Sequence, residues 1–140
     1  MSAPLPYADS LQQAPSLPPG ALFAPAAARN ASPLLEQLTR LLASLPRPAH
    51  VLELASGSGQ HASAFCSALP ASLLAAWQPT DREEVGVQSC EAYRRCHAPG
   101  SPAHSRHLPA LLLDVEAPWP AGLQAGTLDV VLAINLLCVL

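Results

Sequence analysis

The stretch VLELASGSGQH at residues 51–61 decides the fold class, because it predicts a strand, a tight glycine turn and a helix in direct succession. The run at residues 50–55 is typical of a short buried strand, and residues 60–69 carry apolar side chains at helical spacing. Gly57 and Gly59 allow backbone conformations closed to other residues and let a ligand approach the main chain. The helix start then offers unpaired N–H groups and the positive end of its dipole.

Two interpretations of this turn stay open on these residues alone. In the first, the G-x-G-x-x-A pattern of residues 57–62 holds a nucleotide-like cofactor. The carboxylate of Glu53 then lies near a cationic amino or sulfonium group of that cofactor. In the second, the glycines only satisfy the geometry of a strand-to-helix turn, because so short a pattern also arises by chance.

Strands and helices alternate along the rest of the chain, which indicates a parallel α/β sheet. A leucine-rich helix with Ser32 as its cap precedes the first strand and ends before Pro46. The further elements are expected as strands at 75–79, 110–115 and 128–135, a helix at 83–97 and a loop at 98–109. We predict a Rossmann-like, doubly wound, mostly parallel sheet of about four strands over residues 21–140, after a disordered lead at residues 1–20.

Polar residues follow the expected strands at their carboxyl ends, where parallel α/β sheets bind ligands. They are Ser56, Gly57, Gly59, Asp81, Asp114 and Asn135. Asp81 lies 22 residues after Gly59, a distance at which an acid hydrogen-bonds ribose hydroxyls, but aspartate also caps helices. Asp114 likewise either meets an adenine amino group or caps the next turn.

Composition excludes several classes of protein. A net charge of −3 gives no broad basic surface for nucleic acid. The four cysteines form no C-x-x-C pair, and the loop with His104 and His107 is interpreted as a solvated loop rather than a metal site. Neither a signal peptide nor a membrane span is expected. These features favour a cytoplasmic protein, with the nucleus as the alternative, that is not secreted.

Three stretches together resemble the methyltransferase-like protein 26 family, which has the class I S-adenosylmethionine (SAM)-dependent methyltransferase fold. They are residues 27–33, residues 51–62 with an acid-x-x-x-Gly-x-Gly pattern, and the WQPTD segment at residues 77–81. The sequence departs from the family pattern at Ala55, which replaces the usual first glycine of the motif, at Ala28, which replaces Glu, and at Cys138, which replaces His.

The resemblance implies a sheet of seven strands with SAM as cofactor. The residues implied to contact it are Gly57 and Gly59 at the methionine part, Asp81 at the ribose, Asp114 at the adenine, Arg29 at the methionine carboxylate and Asn135 at the transferred methyl. The best titratable candidate for a base is His61, although a helix-face histidine is more often structural.

Relatives in this fold continue into further strands, so we expect a truncated form whose apolar strand edge is open to pairing with another chain. Three functions are weighed. The first is a SAM-dependent methyltransferase whose acceptor the sequence does not name. The second is a non-catalytic binding module, and the third is an NAD-dependent oxidoreductase. Glu53 and the family resemblance favour the first.

Overall fold

A parallel sheet of four strands is the centre of the molecule. The computed structural model describes residues 17–120, 123 and 126–134. Its elements are α1 (Pro25–Ala43), β1 (Ala49–Leu54), α2 (Gln60–Ala68), β2 (Leu74–Asp81), α3 (Glu84–Arg94), α4 (Pro102–Arg106), β3 (Leu111–Leu112) and β4 (Val130–Ala133). The predicted α/β class is confirmed, as an open sheet flanked by helices that matches an incomplete Rossmann-like fold. The predicted disordered lead lies outside the described residues as far as residue 16, and so does Asn135.

The strand order is β3-β2-β1-β4, with all pairs parallel. Val51 in β1 is opposite Trp77 on one side and Val130 on the other. The chain therefore leaves β1 toward β2 and β3 and returns as β4 on the opposite side. Beside β1 the strand order reverses, and ligands of open α/β sheets bind at the carboxyl ends of strands at such a point.

The main core lies on the sheet face that α1, α2 and α4 cover. Val51 and Trp77 from the strands pack there against Phe65 and Leu42, and all four are at most 1% exposed. The rings of Phe65 and Trp77 meet edge to face with centroids 5.6 Å apart, a favourable aromatic geometry. Burying a side chain such as Phe65 stabilises the fold by about 1.5–3 kcal/mol.

Helix α1 begins at Pro25, so the prediction that Ser32 caps it was wrong. Residues 26–28 are alanines, the strongest helix formers, and Pro25 suits the first turn because its missing N–H needs no partner. Pro33 lies inside the helix. The helix start is fixed from outside, because the side-chain Oε1 of Gln60 accepts the Ala24 N–H at 2.6 Å. A contact between residues so far apart in sequence is invisible to local pattern.

Helix α4 occupies part of the segment predicted as a loop, and that prediction was wrong. Ser101 caps it by accepting the His104 N–H at 3.2 Å, and Pro102 lies in its first turn. The Ser-Pro pair is a helix-start signal that could have identified this helix. Arg106, at its end, donates to the carbonyls of Cys66 and Leu69 at the end of α2. The guanidinium thus satisfies carbonyls that a helix end leaves unpaired.

Strand β3 is shorter than predicted, because the chain turns away at Asp114. Leu113 N–H still donates to the Asp81 carbonyl at 2.8 Å.

Within the described part of the chain, no helix has both the length and the apolar character needed to cross a membrane.

Candidate functional site

The turn after β1 places every second residue in the left-handed region of backbone conformation. Ala55 has φ 52°, Gly57 has φ 63° and Gly59 has φ 89°. Ala55 therefore adopts the conformation that glycine adopts without strain. A Cβ atom there costs roughly 1–2 kcal/mol. The turn forms despite the missing first glycine, and it carries strain at Ala55.

Asp81 joins the end of β2 to this turn. Its Oδ2 accepts the Gly57 N–H at 2.8 Å, and its Oδ1 accepts the Glu83 N–H at 2.9 Å. Asp81 is 5% exposed, and burial raises the pKa of its carboxyl, with nearby Glu83 adding to the rise. Asp81 thus lies where residues 55–59 meet the end of β2, here called the glycine corner. It also takes part in a turn that leads into α3. The contact with Glu83 fits the capping interpretation, and a contact with ribose stays a prediction.

Glu53 supports the corner from inside the sheet. It is 2% exposed, and Trp77 Nε1–H donates to its Oε1 at 3.2 Å. Burial raises the pKa of Glu53 to about 7, and the charge of Asp81 adds to this effect. Its carbonyl also accepts the Thr80 hydroxyl at 2.7 Å. The carboxyl therefore lies beneath the turn. It would attract a ligand cation through the protein interior rather than contact it at the surface.

Ser56 extends the pairing of β1 and β2 into the turn. Its N–H donates to the Thr80 carbonyl at 2.7 Å, and its Oγ accepts the Thr80 N–H at 3.0 Å. Ser56 is half-buried. The reciprocal bonds with Thr80 fix the position from which the left-handed turn starts.

Gly59 permits close packing of α3. A Cβ on Gly59 would lie 2.7 Å from the Cα of Cys90, closer than real Cβ contacts allow. Burial raises the pKa of the Cys90 thiol, so this cysteine is an inert packing residue. The structure thus gives Gly59 a helix-packing role, and its contact with a cofactor stays a prediction.

Gln60 and His61 attach α1 to the turn, a role that the sequence analysis missed. The Oε1 of Gln60 accepts from Ala24 N–H and, at 2.8 Å, from the Ser58 hydroxyl. His61 Nε2 lies 3.0 Å from the Ala27 carbonyl and must carry the proton, since a carbonyl only accepts. His61 also stacks on Phe65, and burial lowers its pKa. The candidate base is thus a neutral, structurally engaged histidine.

The other predicted residues lie at or beyond the edge of this corner. Arg29 is exposed on the first turns of α1. Asp114 is exposed after β3, and its Oδ1 accepts the Glu116 N–H at 2.9 Å, which fits the turn-capping alternative. Asn135 lies outside the described residues. The structure therefore brings together Glu53, Ser56, Gly57, Gly59 and Asp81.

A buried histidine pair lies away from this corner. His97 Nε2 and His107 Nδ1 are 2.9 Å apart, and burial lowers the pKa of His107 to about 4. His104 is exposed. Across the described segments, no three His, Cys, Asp or Glu residues are grouped as metal ligands would be. The pair satisfies one ring nitrogen of each histidine, while His107 Nε2 is buried without a partner among the described residues.

The profile of a family described as "protein of unknown function (DUF938)" matches residues 21–140. This chain belongs to the DUF938 family. No solved structure matches the chain. The family description names no activity.

Proposed function

We propose that this DUF938 protein binds SAM at the glycine corner and acts as a SAM-dependent methyltransferase. The observation that supports this most is the 2.8 Å hydrogen bond from the Gly57 N–H to the Asp81 carboxylate. It brings the turn after β1 and the acid at the end of β2 into contact at the carboxyl ends of neighbouring parallel strands. Such an edge is where nucleoside cofactors bind in doubly wound folds.

The same bond disfavours a dinucleotide. In dinucleotide-binding folds the pyrophosphate sits on glycine-turn N–H groups at a helix start. Here the Gly57 N–H already donates to a carboxylate, and Glu53 lies buried beneath the turn. A phosphate would have to approach the Asp81 carboxylate, a like charge, and compete with it for the Gly57 N–H. SAM carries no phosphate, and its sulfonium and amino groups are cationic, so the acidic corner suits it better than NAD.

The residues fit SAM in distinct ways. Gly57 is buried but has no side chain, so the methionine part would reach its main chain once the corner opens, and each Asp81 carboxylate oxygen can accept a further hydrogen bond from ribose. Exposed Asp114 and Arg29 are free to meet the adenine and the methionine carboxylate. Bound SAM would supply an electrophilic methyl group. This chain would mainly orient it for in-line attack, which alone lowers a barrier substantially.

We also propose that this protein is related to the methyltransferase-like protein 26 family, which its sequence resembles, and that it is located in the cytoplasm. Cys66, Cys90 and Cys96 are free cysteines, as is usual in a reducing compartment. Burial raises the pKa of Cys66 to about 12, so this thiol stays protonated at neutral pH.

Isothermal calorimetry with SAM and with NAD tests the proposal. We expect measurable binding of SAM and none of NAD, and we expect Gly57→Val to abolish SAM binding, because a branched side chain is strained at φ 63° and covers the main chain. Gly100→Val is the matched control. Gly100 has φ 82° and open space around it, so that variant carries similar strain but should bind SAM normally. SAM affinity unchanged by Gly57→Val would mean that the turn is structural only.

Transfer of a labelled methyl group separates the enzyme from the binding-module alternative. SAM with a labelled methyl is incubated with the protein and with fractionated cell extract. Label in a protein, nucleic-acid or small-molecule fraction supports the enzyme and indicates the acceptor class. Tight SAM binding without transfer to any fraction supports a non-catalytic module.

A further inference from the structure

Residues 21–24 form a strap that lies against the glycine corner before α1 begins. Ala21, Leu22 and Ala24 are buried. The strap is held at Leu22 by helix α3. Leu22 N–H donates to Ser89 Oγ at 2.8 Å, and Tyr93 donates its hydroxyl to the Leu22 carbonyl at 2.8 Å. Two side chains of α3 thus bind one residue of the strap.

Ser89 links the strap directly to the turn. Its Oγ accepts the Leu22 N–H and donates to the Ser58 carbonyl at 2.6 Å. Ser89 is fully buried. A hydroxyl has one proton to donate and lone pairs to accept with, so both bonds form at once. Removing the hydroxyl would leave two buried backbone groups without partners.

Gln60 makes a second link of the same kind. Its Oε1 accepts from Ala24 N–H in the strap and from the Ser58 hydroxyl in the turn. Ser58 Oγ in turn accepts the Gln60 N–H at 3.2 Å. Ser58, the residue between the two glycines, is therefore connected to the strap through its carbonyl and through its hydroxyl.

We propose that Ser89 and Gln60 are positioning residues that couple the strap to the glycine turn. Whatever fixes the turn then fixes the strap, and the reverse holds because energetic coupling is reciprocal. The coupling also reaches the first turn of α1, where His61 holds the Ala27 carbonyl. The cofactor half of this inference rests on the proposed function: SAM bound at the turn orders the strap, and an ordered strap strengthens SAM binding.

Amide hydrogen exchange tests the coupling without any ligand. Ser89→Ala leaves the acceptor of the Ala24 amide in place, because that amide donates to Gln60 and not to Ser89. We expect the Ala24 amide to exchange about tenfold faster in this variant, relative to the Leu52 amide in the core, because losing a buried hydrogen-bond partner shifts local opening by that order. The Leu52 reference separates local release of the strap from global destabilisation.

Calorimetry tests the coupling to the cofactor. We expect Ser89→Ala to weaken SAM binding about tenfold, and SAM to slow exchange at Ala24 in the unaltered protein. Ser44→Ala is the control. It also removes a hydroxyl bonded to a backbone carbonyl, that of Leu41, but at the far end of α1. This control should change neither the affinity nor the exchange at Ala24.

The outcomes distinguish the two claims. Absence of SAM binding by the unaltered protein would refute the proposed function. Exchange at Ala24 would still test whether the strap is coupled to the turn. Normal SAM affinity together with unchanged Ala24 exchange in Ser89→Ala would refute the coupling. If Ser89→Ala does not fold, Tyr93→Phe serves instead, because it removes only the hydroxyl bonded to Leu22. The same effects, smaller in size, are then expected, and their absence would overturn the inference.

Discussion

Ala55 is a residue in a conformation that its side chain opposes. Its φ of 52° lies in the left-handed region. We expect Ala55→Gly to stabilise the protein by about 1 kcal/mol, because removing the Cβ relieves the left-handed penalty and outweighs the greater freedom of an unfolded glycine. Urea denaturation measures the change. Ala64→Gly, at an exposed position inside α2, should instead destabilise by about 1 kcal/mol. Equal losses in both variants would contradict the strain at Ala55.

Glu53 makes stability depend on pH. Its folded pKa of about 7 lies above the ordinary value of 4.5. Between these values the folded protein binds the proton more tightly, so this contribution is fully present below about pH 4.5 and is lost as pH rises to 7. Glu53→Gln stays neutral and can still accept from Trp77.

We therefore expect Glu53→Gln to be more stable than the unaltered protein at pH 8, by about 3 kcal/mol. The difference should disappear near pH 4.5. Urea denaturation at several pH values measures this. Glu36→Gln is the control, since Glu36 is exposed and pairs only with Arg40 on the surface of α1. A difference that stays constant with pH would show that Glu53 does not titrate in this range.

Helix α3 contains a glycine for a reason outside the helix. A Cβ on Gly86 would lie 2.7 Å from the Cγ of Asp81. Alanine normally stabilises a helix relative to glycine by roughly 0.5–1 kcal/mol, but here we expect Gly86→Ala to destabilise and to weaken SAM binding, because it displaces the carboxylate from Gly57. Thermal melting and calorimetry measure both effects. Gln88→Ala, at an exposed position of α3, should change neither, and a stabilised Gly86→Ala would show that Asp81 moves at no cost.

The elements that local pattern determines were predicted, and those that distant contacts determine were not. The strand, turn and helix at residues 49–68 follow from apolar runs and two glycines. The start of α1 depends on Gln60, which no local pattern includes. At the corner, spacing predicted that Asp81 would approach the turn. The burial of Glu53 could not be predicted, because it depends on the register that sets Trp77 beside it.

On the scale of the whole molecule, β4 forms one border of the sheet within the described residues. It pairs with β1, and Val131 is 52% exposed. An apolar strand at a sheet edge promotes pairing with other chains, and lysine suppresses it. We expect Val131→Lys to raise the concentration at which the protein aggregates, as measured by light scattering. Val85→Lys is the matched control, because Val85 is 51% exposed but lies on a helix. Equal effects of both variants would indicate that charge alone controls solubility.

The place of β4 in the sheet has a consequence for synthesis on the ribosome. Val51 pairs with Trp77 but also with Val130, 79 residues further along the chain. At the usual rates of about 5–20 residues per second, β1 stays uncovered on that side for roughly 4–16 seconds after its own translation. Asp129, just before β4, binds Arg47 and the His50 N–H, both at 2.8 Å, and these contacts can form only after this interval. The nascent chain is therefore most exposed to chaperones and to misassembly while residues 55–129 are being made.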